Sequence, residues 1–110
     1  MRKETKATSI SDAVRRRVAA RDEIDGWTCC IICGKPAPSG ASTAFSCAHF
    51  IPRSEGGLGV EENIVSLCPR CHGMYDQGID RKNTTIFLAN YLKSKYPDWD
   101  EDKLIYKKGM

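Results

Sequence analysis

Apolar residues recur at every fourth position from Ile10 through Val14 to Val18, which places them on one helical face. Ser11 ahead of Asp12 adds an N-cap and a negative charge at the positive end of the helix dipole. This pattern predicts a helix over residues 11–25, with Gly26 as its stop. Residues 27–33 (WTCCIIC) are short and β-prone. Gly34-Lys35-Pro36 and a Pro-, Ser-, Gly- and Ala-rich stretch to Ala44 then read as a turn and a loop. Residues 45–51 (FSCAHFI) and Ile64–Leu67 (IVSL) predict two strands. The connection between them, with Pro52, Gly56, Gly57 and Gly59, makes a hairpin with a long loop. Pro69 suits the first turn of a short helix that Gly78 ends. A last helix is predicted over 84–96, where Leu88 and Leu92, Phe87 and Tyr91, and Leu92 and Tyr96 pair at helical spacing and Pro97 closes the run. These aromatics are expected in the core. The tail from Asp98 has no decisive pattern, and the chain shows no repeat or low-complexity segment.

Composition changes this picture in one respect. At 110 residues, with 41% hydrophobic and 8% aromatic content, the chain is the size of one domain and has little margin in apolar burial. Some further staple is expected, and six cysteines supply it, either as disulfides or as a metal site. Residues 1–9 are charged and lack an apolar signal region, and no window reaches the length of a membrane span. The expected compartment is therefore the reducing cytoplasm, where paired thiols hold metal more readily than they oxidise. The net charge of +3 is uneven. Among the first 21 residues Arg2, Lys3, Lys6, Arg15, Arg16, Arg17 and Arg21 face only Glu4 and Asp12. Such a segment suits a polyanion, and equally suits a solvated helix face.

Cys30-x-x-Cys33 and Cys68-x-x-Cys71 form two matched pairs, each followed by a turn or helix start whose backbone N–H groups can donate to sulfur. Four thiolates so spaced can surround a tetrahedral Zn2+ at about 2.3 Å per bond. Gly34 fits the turn behind the second sulfur, which favours a positive φ. Cys29 and Cys47 are left over and are expected to behave as small buried hydrophobes. The pairs stand 34 residues apart, more than the roughly 15 to 20 of a simple double knuckle. The insert is the predicted hairpin, which carries His49. The other histidine, His72, directly follows Cys71. One metal would thus tie both histidine-bearing segments to a single point. His72 and Asp76 stand four apart, so on a helix they share a face and can reach one ion.

Ala48-His49-Phe50-Ile51-Pro52-Arg53-Ser54, Gly56-Gly57, Glu62-Asn63-Ile64, Leu67-Cys68-Pro69-Arg70-Cys71-His72 and Asp76 together resemble the HNH endonuclease family in its zinc-stapled form. The resemblance spans residues 30–78, and the flanking segments are similar to those of small phage or mobile-element HNH proteins. It implies an α+β fold with a ββα-metal (His-Me finger) core and a structural four-cysteine zinc site, flanked by helices. Residues 1–29 would be a basic N-terminal helix and arm. Residues 30–78 would be the core, and residues 79–110 a C-terminal helix and tail packed on it, in one domain overall.

The resemblance also implies roles. His49 would be the general base, because an imidazole of ordinary pKa about 6.5 suits water activation near neutral pH. Asn63 would brace the loop that holds it. His72 and Asp76 would bind a catalytic divalent ion, Mg2+ or another such as Mn2+ or Ni2+. The family usually carries a further ligand just before the base, where this chain has Ala48. Mg2+ commonly keeps several waters, so two protein ligands and a phosphate suffice. Arg53, Arg70, Arg15, Arg16 and Arg17 are candidate phosphate contacts, with surface ion pairs as the alternative for Arg53 and Arg70. The expected activity is DNA hydrolysis leaving 5′-phosphate and 3′-hydroxyl ends on duplex DNA with weak sequence preference. A monomer would nick and a homodimer would cut both strands. Packaging or recombination proteins are candidate partners. The competing expectation is a catalytically inactive, zinc-dependent nucleic-acid-binding module of the same fold.

Overall fold

The computed structural model of the protein describes residues 3–37 and 46–107. Arg2, the loop predicted up to Ala44 beyond residue 37, and the Phe45 start of the first long strand lie outside them. The elements run α1 (Lys3–Thr8), α2 (Asp12–Arg21), β1 (Glu23–Ile24), β2 (Trp27–Thr28), β3 (Ser46–His49), β4 (Ile64–Leu67), α3 (Pro69–Asp76) and α4 (Arg81–Lys95). Short 3-10 turns cover Arg53–Glu55, Glu61–Asn63 and Glu101–Leu104.

Helix α2 starts as its sequence indicates, with Val14 N donating to the Ser11 hydroxyl at 3.2 Å. It ends earlier than expected. Asp22 leaves the helix because its buried carboxylate is claimed by two tertiary partners, Ser66 N of β4 at 2.9 Å and Tyr91 Oη of α4, besides the neighbouring Arg21 guanidinium. The chain then forms a small β1–β2 hairpin whose two-residue turn, Asp25-Gly26, has both φ angles positive. Gly26 therefore closes a hairpin instead of stopping the helix, and the expected helix over 11–25 is corrected to Asp12–Arg21. Helix α1 carries no apolar period that would announce it in the sequence.

β3 and β4 pair antiparallel with Ser46 opposite Leu67 and His49 opposite Ile64. Alternation along β3 sends Ala48 and Phe50 into a core shared with Val65, Leu67, Cys71, Tyr75, Leu88, Leu92 and Leu104. The opposite face places Cys47 and Ile64 against Val14 and Val18 of α2. α3 begins with Pro69 in its first turn and Cys68 as cap. α4 begins three residues before the expected start and buries Leu88 and Leu92. Phe87, expected in the core, is 50% exposed, because it stands one residue off that stripe. The tail is also more ordered than its sequence indicates: Leu104 is buried and Ile105 bridges to Gly57. No helix among the described residues is long and apolar enough to cross a membrane.

Candidate functional site

The two cysteine pairs converge. Cys30 and Cys33 lie in the turn after β2, and Cys68 and Cys71 cap and open α3. Their four sulfurs all lie within 4.8 Å of one another. Cys33 Sγ and Cys68 Sγ are 3.8 Å apart, which is the edge of a tetrahedron with bonds of about 2.3 Å. The cluster can therefore hold a structural metal such as zinc. Burial pushes the Cys68 thiol up, but the Cys71 N–H and the neighbouring thiols outweigh it and bring it down to about 7. Burial and the adjacent sulfurs hold Cys71 well above the ordinary thiol range, and burial raises Cys30. One thiolate thus forms readily and its charge opposes the next, an opposition that a divalent cation removes. Cys29 is buried outside the cluster, its thiol donating to Trp27 O at 3.4 Å. Cys47 is half-buried, and burial raises its pKa.

β3 delivers His49 at its end, half-buried, with Nε2 2.8 Å from the carbonyl oxygen of Thr8. Burial pulls the His49 pKa down; the Thr8 carbonyl opposes this, Arg53 and His72 lower it further, and Asp76 raises it. His72 and Asp76 share a face of α3, with Nε2 3.3 Å from Oδ2. Adjacent ligands of an octahedral Mg2+ lie about 3 Å apart, so the two side chains are spaced to share an ion.

Asn63 is fully buried and clamps the loop between the strands. Its Oδ1 accepts from Ile51 N at 2.8 Å, and Nδ2 donates to Ile51 O and Leu58 O at 3.2 and 2.9 Å. Tyr75 Oη donates to Phe50 O at 2.8 Å, fixing the same turn from the α3 side. Ala48 is fully buried in the core beneath α3 and offers no ligand.

Residues 30–78 match the family of HNH endonucleases. The central segment of the chain is an HNH domain. The match covers just under half of the chain and includes every cysteine of the cluster together with His49, Asn63, His72 and Asp76. Over 30 residues, 27% of this chain, the protein is also 50% identical to Anaredoxin of Nostoc sp. (strain PCC 7120 / SAG 25.82 / UTEX 2576), and the chain spans 40% of that protein's length. A likeness this short assigns no activity.

The basic residues around the HNH domain separate into kinds. Arg15 is half-buried on α2, and Arg16 and Arg70 are exposed. Arg17 is paired with Glu61. Arg53, exposed beside the site, approaches Thr8 Oγ1 and Ser9 Oγ at 3.4 Å. Arg21, counted with the basic arm in the sequence, is withdrawn from any ligand. It bonds Asp22, Glu61 O at 2.8 Å and Ile64 O at 2.7 Å, with its side chain 10% exposed. Sequence reasoning missed the Thr8 carbonyl altogether, because a main-chain oxygen 41 residues before His49 leaves no residue-type signal.

Proposed function

We propose that the protein is a metal-dependent DNA endonuclease in which His49 is the general base. What supports this reading is the match of residues 30–78 to HNH endonucleases, within which His72 and Asp76 stand 3.3 Å apart on α3 and Asn63 clamps the chain just beyond His49. His49 takes a proton from water as the oxygen attacks phosphorus in line, and burial favours the neutral ring this step requires. Asn63 keeps the base in place by fixing Ile51, two residues beyond it. A divalent ion on His72 and Asp76, when bound, neutralises charge on the phosphate and the 3′ leaving oxygen. Arg53 and Arg70, with Arg15 and Arg16 of α2, contact phosphates, which makes binding sensitive to salt and weakly selective for sequence. Zn2+ on the four cysteines holds β2 and α3 together and takes no part in the chemistry. The products carry 5′-phosphate and 3′-hydroxyl ends.

The test is incubation with supercoiled plasmid in Mg2+, Mn2+ or Ni2+. Metal-dependent nicking is expected, and it should disappear in His49→Ala. Asp76→Ala should stay folded and require more metal. The second reading, a binding module of the same fold without catalysis, is favoured by Ala48, whose burial leaves two side chains to hold the ion. DNA binding without nicking in any of the three metals would establish it.

A further inference from the structure

The HNH domain does not complete its own histidine site. Thr8, at the end of α1 and well before residue 30, is 3% exposed and presents its carbonyl oxygen to His49 Nε2 at 2.8 Å. A carbonyl only accepts, so Nε2 carries the hydrogen and the lone pair of the neutral ring resides on Nδ1. An acceptor behind a base fixes its tautomer, orients the ring, and stabilises the imidazolium formed on proton uptake, as the carboxylate of a Ser-His-Asp triad does.

The segment bearing this carbonyl is seated in the loop between β3 and β4. Gly59 N donates to Ala7 O at 3.0 Å, and the chain passes so close to Gly59 that an added Cβ would lie 1.9 Å from Ser9 O. The φ of Gly59 is not in the left-handed region, so this glycine is required by the space the N-terminal segment occupies and not by its own backbone conformation. Arg53 lies over the same segment, approaching Thr8 and Ser9.

We infer that residues 7–9 are part of the active site, with Thr8 a positioning residue whose carbonyl selects Nδ1 of His49 as the basic nitrogen and Gly59 the socket that holds it there. The inference rests on the nuclease reading and specifies how its base is set. Two full-length variants disturb the seat. Gly59→Ala fills the socket. Ser9→Pro biases Thr8 away from the helical conformation and so turns its carbonyl. The zinc-loaded protein, labelled with 15N, is examined through the ring nitrogens of His49, and plasmid nicking is measured in parallel.

In the wild type the expected spectrum has hydrogen on Nε2, protected from exchange with water, and a lone pair on Nδ1. Both variants should lose that protection and lose roughly 10- to 100-fold in kcat with little change in KM for plasmid, the scale of a misplaced reacting group. A wild-type ring protonated on Nδ1, or one whose Nε2 hydrogen exchanges freely, would overturn the inference. So would a folded variant with unchanged kcat, or with raised kcat, which would make the segment a cover. Should either variant fail to fold, the other and the wild-type spectrum decide. A wild type that nicks in no metal instead overturns the nuclease reading and takes the positioning role with it.

Discussion

His49 titrates in competition among its neighbours. Burial, Arg53 and His72 favour the neutral ring, while the Thr8 carbonyl and Asp76 favour the charged one, and the balance is a lowered pKa. A general base acts when deprotonated, so the acid limb of kcat/KM should fall below the ordinary histidine value of about 6.5. Arg53→Ala removes a charge that disfavours the imidazolium, which raises the pKa. The limb should move to higher pH, as a pH profile of plasmid nicking would show. Asn63 gives a prediction about stability. Asn63→Ala leaves the main-chain N–H and C=O of Ile51 and the carbonyl of Leu58 without their amide partner. We expect a loss of roughly 2 to 3 kcal/mol in urea unfolding, together with slower nicking. The histidines, Asn63 and the paired cysteines are legible because their chemistry is carried by residue type and spacing. The acceptor behind His49 is not, since any residue at position 8 would present the same oxygen.

At the level of elements, β4, α3 and the β3–β4 pairing follow the sequence closely, because alternation, Pro69 and the cysteine caps are local signals. α2 departs from its pattern where tertiary contacts override propensity. Its last residue, Arg21, and its cap, Asp22, form a buried pair whose hydrogen bonds reach β4, α4 and the turn at Glu61. Arg21 stands three residues after Val18 and seven after Val14, on the buried stripe, and Arg16 stands off it; the period marks that face but not the pairing made there. The guanidinium also lies 5.5 and 5.9 Å from the ring centres of Tyr91 and Tyr96, which ties α2 to α4 and its C-cap. Asp22→Ala would remove the carboxylate paired with that buried guanidinium and leave Ser66 N and Tyr91 Oη without their acceptor, and we expect roughly 3 to 5 kcal/mol of destabilisation by chemical denaturation. Arg16→Ala, on the exposed face of the same helix, should change stability by less than about 0.5 kcal/mol and weaken DNA binding.

For the molecule as a whole, the four cysteines join segments that the small core holds only in part. Ligation of this kind is worth on the order of 10 kcal/mol in folding free energy. A strong chelator is therefore expected to lower the melting temperature steeply, and Cys68→Ser to prevent stable folding, both visible by circular dichroism and metal analysis. Acidification should act in the same direction, because each ligand must lose a proton to bind and falling pH returns it. This frame was readable from two spacings. How the flanks pack against it was readable only in part, since Thr8 meets His49 and the tail meets Gly56 and Leu58 through main-chain atoms that carry no residue-type signal.

The loop at Gly56–Gly59 shows what that packing entails. Besides the N-terminal chain on Gly59, it receives the tail, with Leu58 N donating to Leu104 O at 2.8 Å and Tyr106 N to Gly56 O at 2.7 Å. Segments from opposite ends of the sequence therefore zip onto one short ribbon beside the histidine. A minimal graft of residues 30–78 into a foreign scaffold would bring its knuckles intact and leave that ribbon bare along both edges. A transplanted motif would have to carry its two flanks with it, or the host would have to supply equivalent backbone to replace them.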